Sequence, residues 1–106
     1  MITVIADRIE YSISIEGHAG YCSEKGKDIV CAAVSILYYT FCMMLTESED
    51  KLLSLEMSEG DGIARIKWCP QEGYANIIDT IYNMFITGIR LLHENYPNNV
   101  ILLAKG

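Results

Sequence analysis

The chain has 106 residues, of which 51% are hydrophobic and 21% charged, and its formal net charge is −6 at pH 7. This apolar content excludes intrinsic disorder, and the absence of an internal repeat excludes a solenoid. The length predicts a single domain over residues 1–106, and the acidic balance disfavours binding to nucleic acid, which requires clustered cations.

The first half of the chain predicts two strands, a loop and a long helix. Residues 2–6 are rich in β-forming side chains, and residues 11–16 alternate between apolar and polar as a half-buried strand does. Residues 21–27 are polar with glycines near both ends, which predicts a mobile loop. Asp28 is a suitable N-cap for the helix, which is expected to reach about Thr46.

The segment from residue 29 to residue 45 contains no charged side chain. Seventeen residues is the lower edge of what a membrane span requires. Two tyrosines, a serine and a threonine within it make a span the weaker interpretation. A helix buried on most of its sides, partly at a homodimer interface, is favoured instead.

The second half predicts a hairpin, a second helix and a last strand. Residues 53–58 alternate as a half-buried strand, residues 59–62 read Glu-Gly-Asp-Gly as a hairpin turn does, and residues 63–68 are the partner strand. Apolar residues recur at helical spacing over residues 74–92, which predicts the second helix, and residues 100–103 predict a last short strand. The order ββαββαβ predicts an α+β fold with an antiparallel-rich sheet and two long helices.

The chemistry concentrates in one segment, which places His18 at the end of a strand and Cys31 early in a helix. A cysteine attacks as its thiolate, and both a helix N-terminus and a neighbouring imidazolium stabilise that form. With Asp28 as N-cap, Cys31 is expected in the first helical turn. The residues alone leave two interpretations open: a catalytic pair, or a small buried cysteine beside a histidine in a loop.

Two motifs in this segment resemble a known signature. Residues 17–20 read Gly-His-Ala-Gly, and residues 28–35 read Asp-Ile-Val-Cys-Ala-Ala-Val-Ser. Together, in this order and at this separation, they resemble the ribosomal-processing cysteine protease family, Prp. The hairpin and the second helix, which is followed by Tyr96 and Pro97, are also similar, so the resemblance covers nearly the whole chain.

The resemblance implies a bacterial, cytoplasmic cysteine endopeptidase that removes the N-terminal extension of a large-subunit ribosomal protein. It implies a catalytic dyad of Cys31 and His18, a homodimer and no cofactor. The sequence itself predicts no metal site, because the cysteines and histidines are widely spaced, and no direct contact with nucleic acid or a membrane. The resemblance also implies a flexible loop that gates the substrate. The loop residues are Ala19, Gly20, Tyr21, Cys22, Gly26 and Lys27.

Four further residues are candidates for supporting roles. Gly17 and Gly20 belong to a turn whose backbone N–H groups are available to an oxyanion. Asp28 is able to orient His18, although capping is its favoured role. Ser35 lies one helical turn beyond Cys31, where it lines the site or bonds back to a helical carbonyl.

The other three cysteines are expected to take no part in catalysis, and two other classes of function compete with the protease. Cys22 is interpreted as a spectator rather than the partner of a regulatory disulfide with Cys31, while Cys42 and Cys69 are expected to be buried and inert. A non-catalytic, ribosome-associated binding module of the same fold is the alternative to the protease. A thiol redox protein is disfavoured, because the chain has neither a CxxC motif nor a βαβ pattern.

Overall fold

Five strands and two long helices form the computed structural model, which describes residues 1–17 and 25–106. Their order along the chain is ββαββαβ, which confirms the predicted α+β fold. A short 3₁₀ turn over Glu49–Lys51 joins the first helix to the third strand. The elements are β1 (Ile2–Asp7), β2 (Ser12–Glu16), α1 (Lys25–Glu47), β3 (Leu52–Gly60), β4 (Ile63–Pro70), α2 (Ala75–Asn95) and β5 (Val100–Lys105).

The strands form one sheet in the order β3-β4-β2-β1-β5. Only the pair of β1 and β5 is parallel, and the other three pairs are antiparallel. Alternate residues point to the face that the helices cover, because successive side chains of a strand point to opposite sides. The buried residues of the three inner strands include Val4, Ile13, Ile15, Ala64 and Ile66.

Aromatic rings join the sheet to both helices. The indole of Trp68 on β4 lies 5.2 Å from the ring of Phe41 on α1 and 6.0 Å from that of Tyr82 on α2, between centroids. The two helices also pack closely against each other, since a Cβ at Gly88 of α2 would lie 2.8 Å from Leu37 of α1. Both helices therefore share one core with a single face of the sheet.

The hairpin between β3 and β4 turns where the sequence predicted. Asp61 and Gly62 have φ values of 54° and 77° and connect the paired residues Gly60 and Ile63. Two residues with positive φ fit the strand twist of a tight hairpin, and Asp-Gly is a preferred pair there. The carbonyl of Gly62 accepts a 3.0 Å hydrogen bond from the N–H of Gly17, which ties the hairpin tip to the end of β2.

The prediction that β3 is half-buried is wrong for most of its length. Leu52 is buried, but Leu53 is 70% exposed and Met57 is 53% exposed. The pairing register shifts between Leu52 and Ser54, so the alternation of the sequence does not carry through the start of the strand. β3 is also the edge strand of the sheet, and an edge strand has a neighbour on one side only.

The first helix begins earlier than the sequence predicted. α1 starts at Lys25, so Asp28 lies within the helix and is not its N-cap. Residues 25–27 are helical, although they were predicted to belong to the preceding loop. Cys31 consequently lies in the second turn of the helix rather than the first.

Within one chain α1 is buried on one side, so the burial of its other sides stays a prediction that depends on the homodimer. Val34, Phe41 and Leu45 are buried in the core, whereas apolar side chains on other sides of the helix remain exposed. Those exposed residues are Ile29, Ile36, Tyr39, Met43 and Met44. Over Ile29–Glu47 the helix is long and apolar enough to cross a membrane by length and composition alone, a test that core helices also pass.

Candidate active site

Cys31 lies on the side of α1 that faces the sheet. It is 4% exposed, and Val34 and Tyr38, the next residues on that side, are 0% and 5% exposed. Residues 31, 35, 38 and 42 follow one line along the helix, because residues three or four positions apart share a face. Cys31 is in a disulfide in this structure, so the chemistry considered below belongs to the reduced protein.

The strand that leads to His18 crosses the same side of α1. At the start of β2, the carbonyl of Tyr11 accepts a 3.1 Å hydrogen bond from the N–H of Trp68, whose ring contacts Phe41. Near the end of β2, Ile15 lines a small cavity together with Val34 and Ser35. Near its end, β2 therefore lies beside residues 34 and 35 of α1, which are three and four positions beyond Cys31.

Gly17 ends this strand in a position that requires glycine. Its φ is +84°, a conformation that side chains disfavour. A Cβ on Gly17 would also lie 2.6 Å from the carbonyl oxygen of Met1, which is closer than real contacts allow. With the hydrogen bond to Gly62, these constraints fix the direction in which the chain leaves β2.

The structure describes some of the predicted site residues and not others. Cys31, Ser35 and Gly17 are described, and Ser35 is half-buried beside Ile15. The prediction for His18 lies outside the described residues, as do those for Ala19, Gly20, Tyr21 and Cys22. For Gly26, Lys27 and Asp28 the backbone is described as helical, and the proposals about their side chains lie outside what is described.

A larger cavity lies beside the site, and the sequence did not indicate it. It has a volume of about 260 Å³ and opens between α1 and the hairpin of β3 and β4. The hydroxyl of Tyr39 donates a hydrogen bond to Glu59 across it. The lining residues are Tyr38, Tyr39, Cys42, Met57, Ser58, Glu59 and Ala64.

The two tyrosines and the cysteine of this cavity stay protonated at neutral pH. The hydrogen bond to Glu59 is the main cause that raises the pKa of Tyr39 to about 12. Burial raises the pKa of Tyr38 and that of the Cys42 thiol. Cys42 is buried as predicted, and because a neutral, buried thiol is a poor nucleophile, its inertness stays a prediction.

Two remaining residues with reactive side chains lie elsewhere. Cys69 is half-buried rather than buried, and its Sγ lies 3.9 Å from the carbonyl oxygen of Pro70. Nδ1 of His93 lies 2.7 Å from the carbonyl oxygen of Val100, which joins α2 to β5. Within residues 1–17 and 25–106, no cluster of three or more histidine, cysteine or acidic residues is placed to hold a metal ion.

Comparisons with known proteins agree on one family. The family model described as cysteine protease Prp matches residues 1–101. The protein SMU.848 from Streptococcus mutans is 31% identical, with a TM-score of 0.73, and the match covers 98% of this chain and 91% of that one. A comparison with curated proteins gave no match.

Two further similar structures are of one bacterial protein, described as an essential ribosomal processing protease Prp from S. aureus. One is in complex with a substrate peptide; it is 21% identical, with a TM-score of 0.80, and the match covers 99% of this chain and 100% of that one. The other is in complex with a covalently linked product peptide; it is 22% identical, with a TM-score of 0.77 and the same coverage. At these identities the likeness establishes the fold.

Proposed function

Since the chain belongs to the Prp family of cysteine proteases, whose model spans residues 1–101, we propose that it is a ribosomal-processing endopeptidase. It removes the N-terminal extension of a large-subunit bacterial ribosomal protein. Support comes from the two sequence motifs and from the S. aureus structures, which are described as a ribosomal processing protease. The net charge of −6 also suits a basic substrate segment.

Cys31 and His18 form the catalytic dyad of this proposal. The observation that carries it is that the end of β2 lies beside α1 close to Cys31, where Ile15 lines a small cavity with Val34 and Ser35. His18 directly follows Gly17, whose backbone is constrained by its positive φ, by the carbonyl of Met1 and by the hydrogen bond to Gly62. The dyad is therefore favoured by geometry on both sides of the segment that joins the two residues.

The mechanism follows from these two groups. His18 removes the proton of the Cys31 thiol, and the sulfur attacks the scissile carbonyl carbon to give a tetrahedral intermediate. Backbone N–H groups later in the turn, including that of Gly20, stabilise the oxyanion, because the N–H of Gly17, which the sequence also offered for this role, already donates to the carbonyl of Gly62. When the C–N bond breaks, His18 gives its proton to the leaving amine, and a thioester remains on Cys31. Water then hydrolyses the thioester and restores the thiol.

The start of α1 at Lys25 changes what activates the thiol. The influence of a helix dipole falls off beyond the first turn. Because Cys31 lies in the second turn, the imidazolium of His18 is the principal group that stabilises the thiolate. Asp28, one turn before Cys31, remains available to orient His18, and Ser35 lines the small cavity next to the nucleophile.

The proposal also covers the oligomeric state, the cellular location and the partners of the protein. The protease is a single-domain, cytoplasmic homodimer that contacts its ribosomal protein substrate and no nucleic acid directly. The exposed apolar side of α1, which includes Ile36 and Met43, supplies the dimer surface. The loop that contains Ala19, Gly20, Tyr21 and Cys22 gates the substrate, and α1 begins after it at Lys25, with Gly26 and Lys27 in its first turn.

Cleavage of the natural substrate tests this function. The reduced protein is mixed with its host's large-subunit ribosomal protein bearing the extension, and masses are followed over time. One clipped product is expected with the native chain and with Cys69→Ala, and none with Cys31→Ala. Binding of the substrate without cleavage would instead support the alternative, a binding module of the same fold.

A further inference from the structure

The cavity between α1 and the hairpin of β3 and β4 has walls that suit an alkyl chain. The ring of Tyr38 and the side chain of Met57 lie on opposite elements, and the ring of Tyr39 stands at 68° to that of Tyr38. Aromatic faces and thioethers pack well against methylene groups and cations. The open side admits a side chain from solvent, since Met57 is 53% exposed.

One carboxylate gives this cavity its charge. Glu59 is the charged member among the seven lining residues in the described part of the chain. The cations on the neighbouring strand, Arg65 and Lys67, pair with Ser58 and Glu56, whose side chains alternate to the other face of the sheet. Tyr39 donates one hydrogen bond to Glu59, and a carboxylate has further acceptor sites for a cationic donor.

The cavity adjoins a smaller one along α1, on the side toward Cys31. The small cavity at Ile15 and Ser35 shares both Tyr38 and Tyr39 with the larger one. From Cys31 to these tyrosines the helix rises by about 11 Å at 1.5 Å per residue. An extended peptide covers that distance in about three or four residues at roughly 3.3 Å each.

We propose that this cavity is a substrate subsite for a lysine or arginine side chain, about three or four residues from the scissile bond. The alkyl stem packs against Tyr38, Tyr39 and Met57, and the cation binds the carboxylate of Glu59. The inference rests on the proposed function, because it assumes that the peptide bond is attacked at Cys31. It assigns Glu59 as a residue that determines specificity.

Peptide binding to the Cys31→Ala protein tests the subsite without depending on catalysis. Labelled peptides that span the cleaved bond carry lysine or norleucine at each position in turn, and their affinities are measured by fluorescence anisotropy. At one position, about three or four residues from the bond, lysine is expected to bind about three- to tenfold more tightly than norleucine, an advantage typical of a partly exposed charge pair. Added salt should reduce this advantage.

Variants of two acidic residues of β3 test which carboxylate binds the cation. Glu59→Gln should bring the ratio of lysine to norleucine affinity close to one, and Glu59→Lys should favour a glutamate peptide instead. Glu56→Gln removes the same charge from the opposite face of the strand and should keep the native ratio. A ratio that Glu59→Gln leaves unchanged overturns the subsite.

The subsite and the protease activity can fail separately. Cleavage by the native protein without any preference for a basic side chain contradicts the subsite while leaving the endopeptidase intact. No cleavage of any peptide, with lysine binding still dependent on Glu59, contradicts both the endopeptidase and the assignment of the cavity as its subsite.

Discussion

The hydroxyl of Tyr39 on α1 donates a hydrogen bond to the carboxylate of Glu59 on β3, and this bond joins the first helix to the edge strand of the sheet. The two residues are separated by 20 positions in the sequence. The bond crosses the mouth of the cavity, so it sets the position of the carboxylate that the cavity offers to a ligand.

The bond should make the stability of the protein sensitive to alkaline pH. Because the proton of Tyr39 is held more tightly in the folded protein, its pKa rises from 10.0 to about 12. The stabilisation is therefore complete below pH 10 and is lost as the pH rises through about 12. Between these values, the native protein should lose more unfolding free energy than Tyr39→Phe, as measured by denaturant titration.

Phenolate absorbance provides the matched control for that prediction. In Glu59→Gln the titration of Tyr39 should return toward its ordinary pKa, because the hydrogen bond to a carboxylate is the largest cause of the shift. Tyr38, which also titrates late, is present in both variants. If neither Tyr39→Phe nor Glu59→Gln changes the phenolate absorbance of the native protein near pH 12, the bond is not formed.

Substitution of Gly17 should impair both stability and activity. A side chain at positive φ costs about 1–2 kcal/mol at either Gly17 or Gly62. At Gly17 a Cβ also meets the carbonyl of Met1, whereas the space around Gly62 is open. Gly17→Ala should therefore lower the unfolding free energy by more than Gly62→Ala does.

Cleavage assays on the same two variants distinguish the effect of backbone strain from the effect of displacing His18. Gly17→Ala is expected to lose most of its activity under conditions where it remains folded, because His18 follows directly. Gly62→Ala should retain more of the activity. Equal activity in the two variants would mean that the direction of the chain at Gly17 does not position the histidine.

The four thiols should differ in reactivity once the protein is reduced. Cys31 should alkylate faster at pH 7 than Cys22, Cys42 and Cys69, because the imidazolium of His18 stabilises its thiolate. Burial raises the pKa of Cys42, which should therefore react slowly. Brief exposure to iodoacetamide followed by peptide mapping measures the order.

The same experiment on His18→Ala identifies the source of the reactivity. The rate at Cys31 should fall while the rates at Cys42 and Cys69 stay as they were. Equal rates at all four cysteines of the native protein would contradict the claim that the thiolate of Cys31 is stabilised.

The proposed dimer makes a prediction about α1. Ile36 is 66% exposed on the apolar side of the helix, so Ile36→Asp should place a charge in the interface. Sedimentation should show a dimer for the native chain at about micromolar concentration and a monomer for this variant. Ile9→Asp, which is equally exposed in the turn between β1 and β2, should remain a dimer. A native monomer would contradict the assembly.

The sequence predicted the inner strands better than the edge. In β4, Ala64, Ile66 and Trp68 are buried as their alternation indicated, because strands flank β4 on both sides and the helices cover that face. In β3 the same alternation is misleading, since the strand forms the edge and its register shifts near Leu53. Position within the sheet is a tertiary property that local periodicity does not contain.

The beginning of α1 and the larger cavity were missed for related reasons. Residues 25–27 read Lys-Gly-Lys and contain no apolar residue, so the sequence pattern does not indicate that they are helical. Asp28 is a preferred N-cap residue and therefore indicated a later helix start. The cavity depends on Tyr39 meeting Glu59 across the fold. The pair Tyr38 and Tyr39 is apparent in the sequence. The sequence does not show that Glu59 lies opposite Tyr39, because the two residues are 20 positions apart and meet only in the folded chain.

The covalent intermediate is the most direct test of the claim that Cys31 is the nucleophile. The reduced protein is mixed with substrate, the reaction is stopped in acid during the first turnover, and peptide mapping locates the acyl group. A thioester that carries the N-terminal product is expected on Cys31 of the native chain, and none in Cys31→Ala. An acyl group on another cysteine, or cleavage that persists in Cys31→Ala, would contradict it.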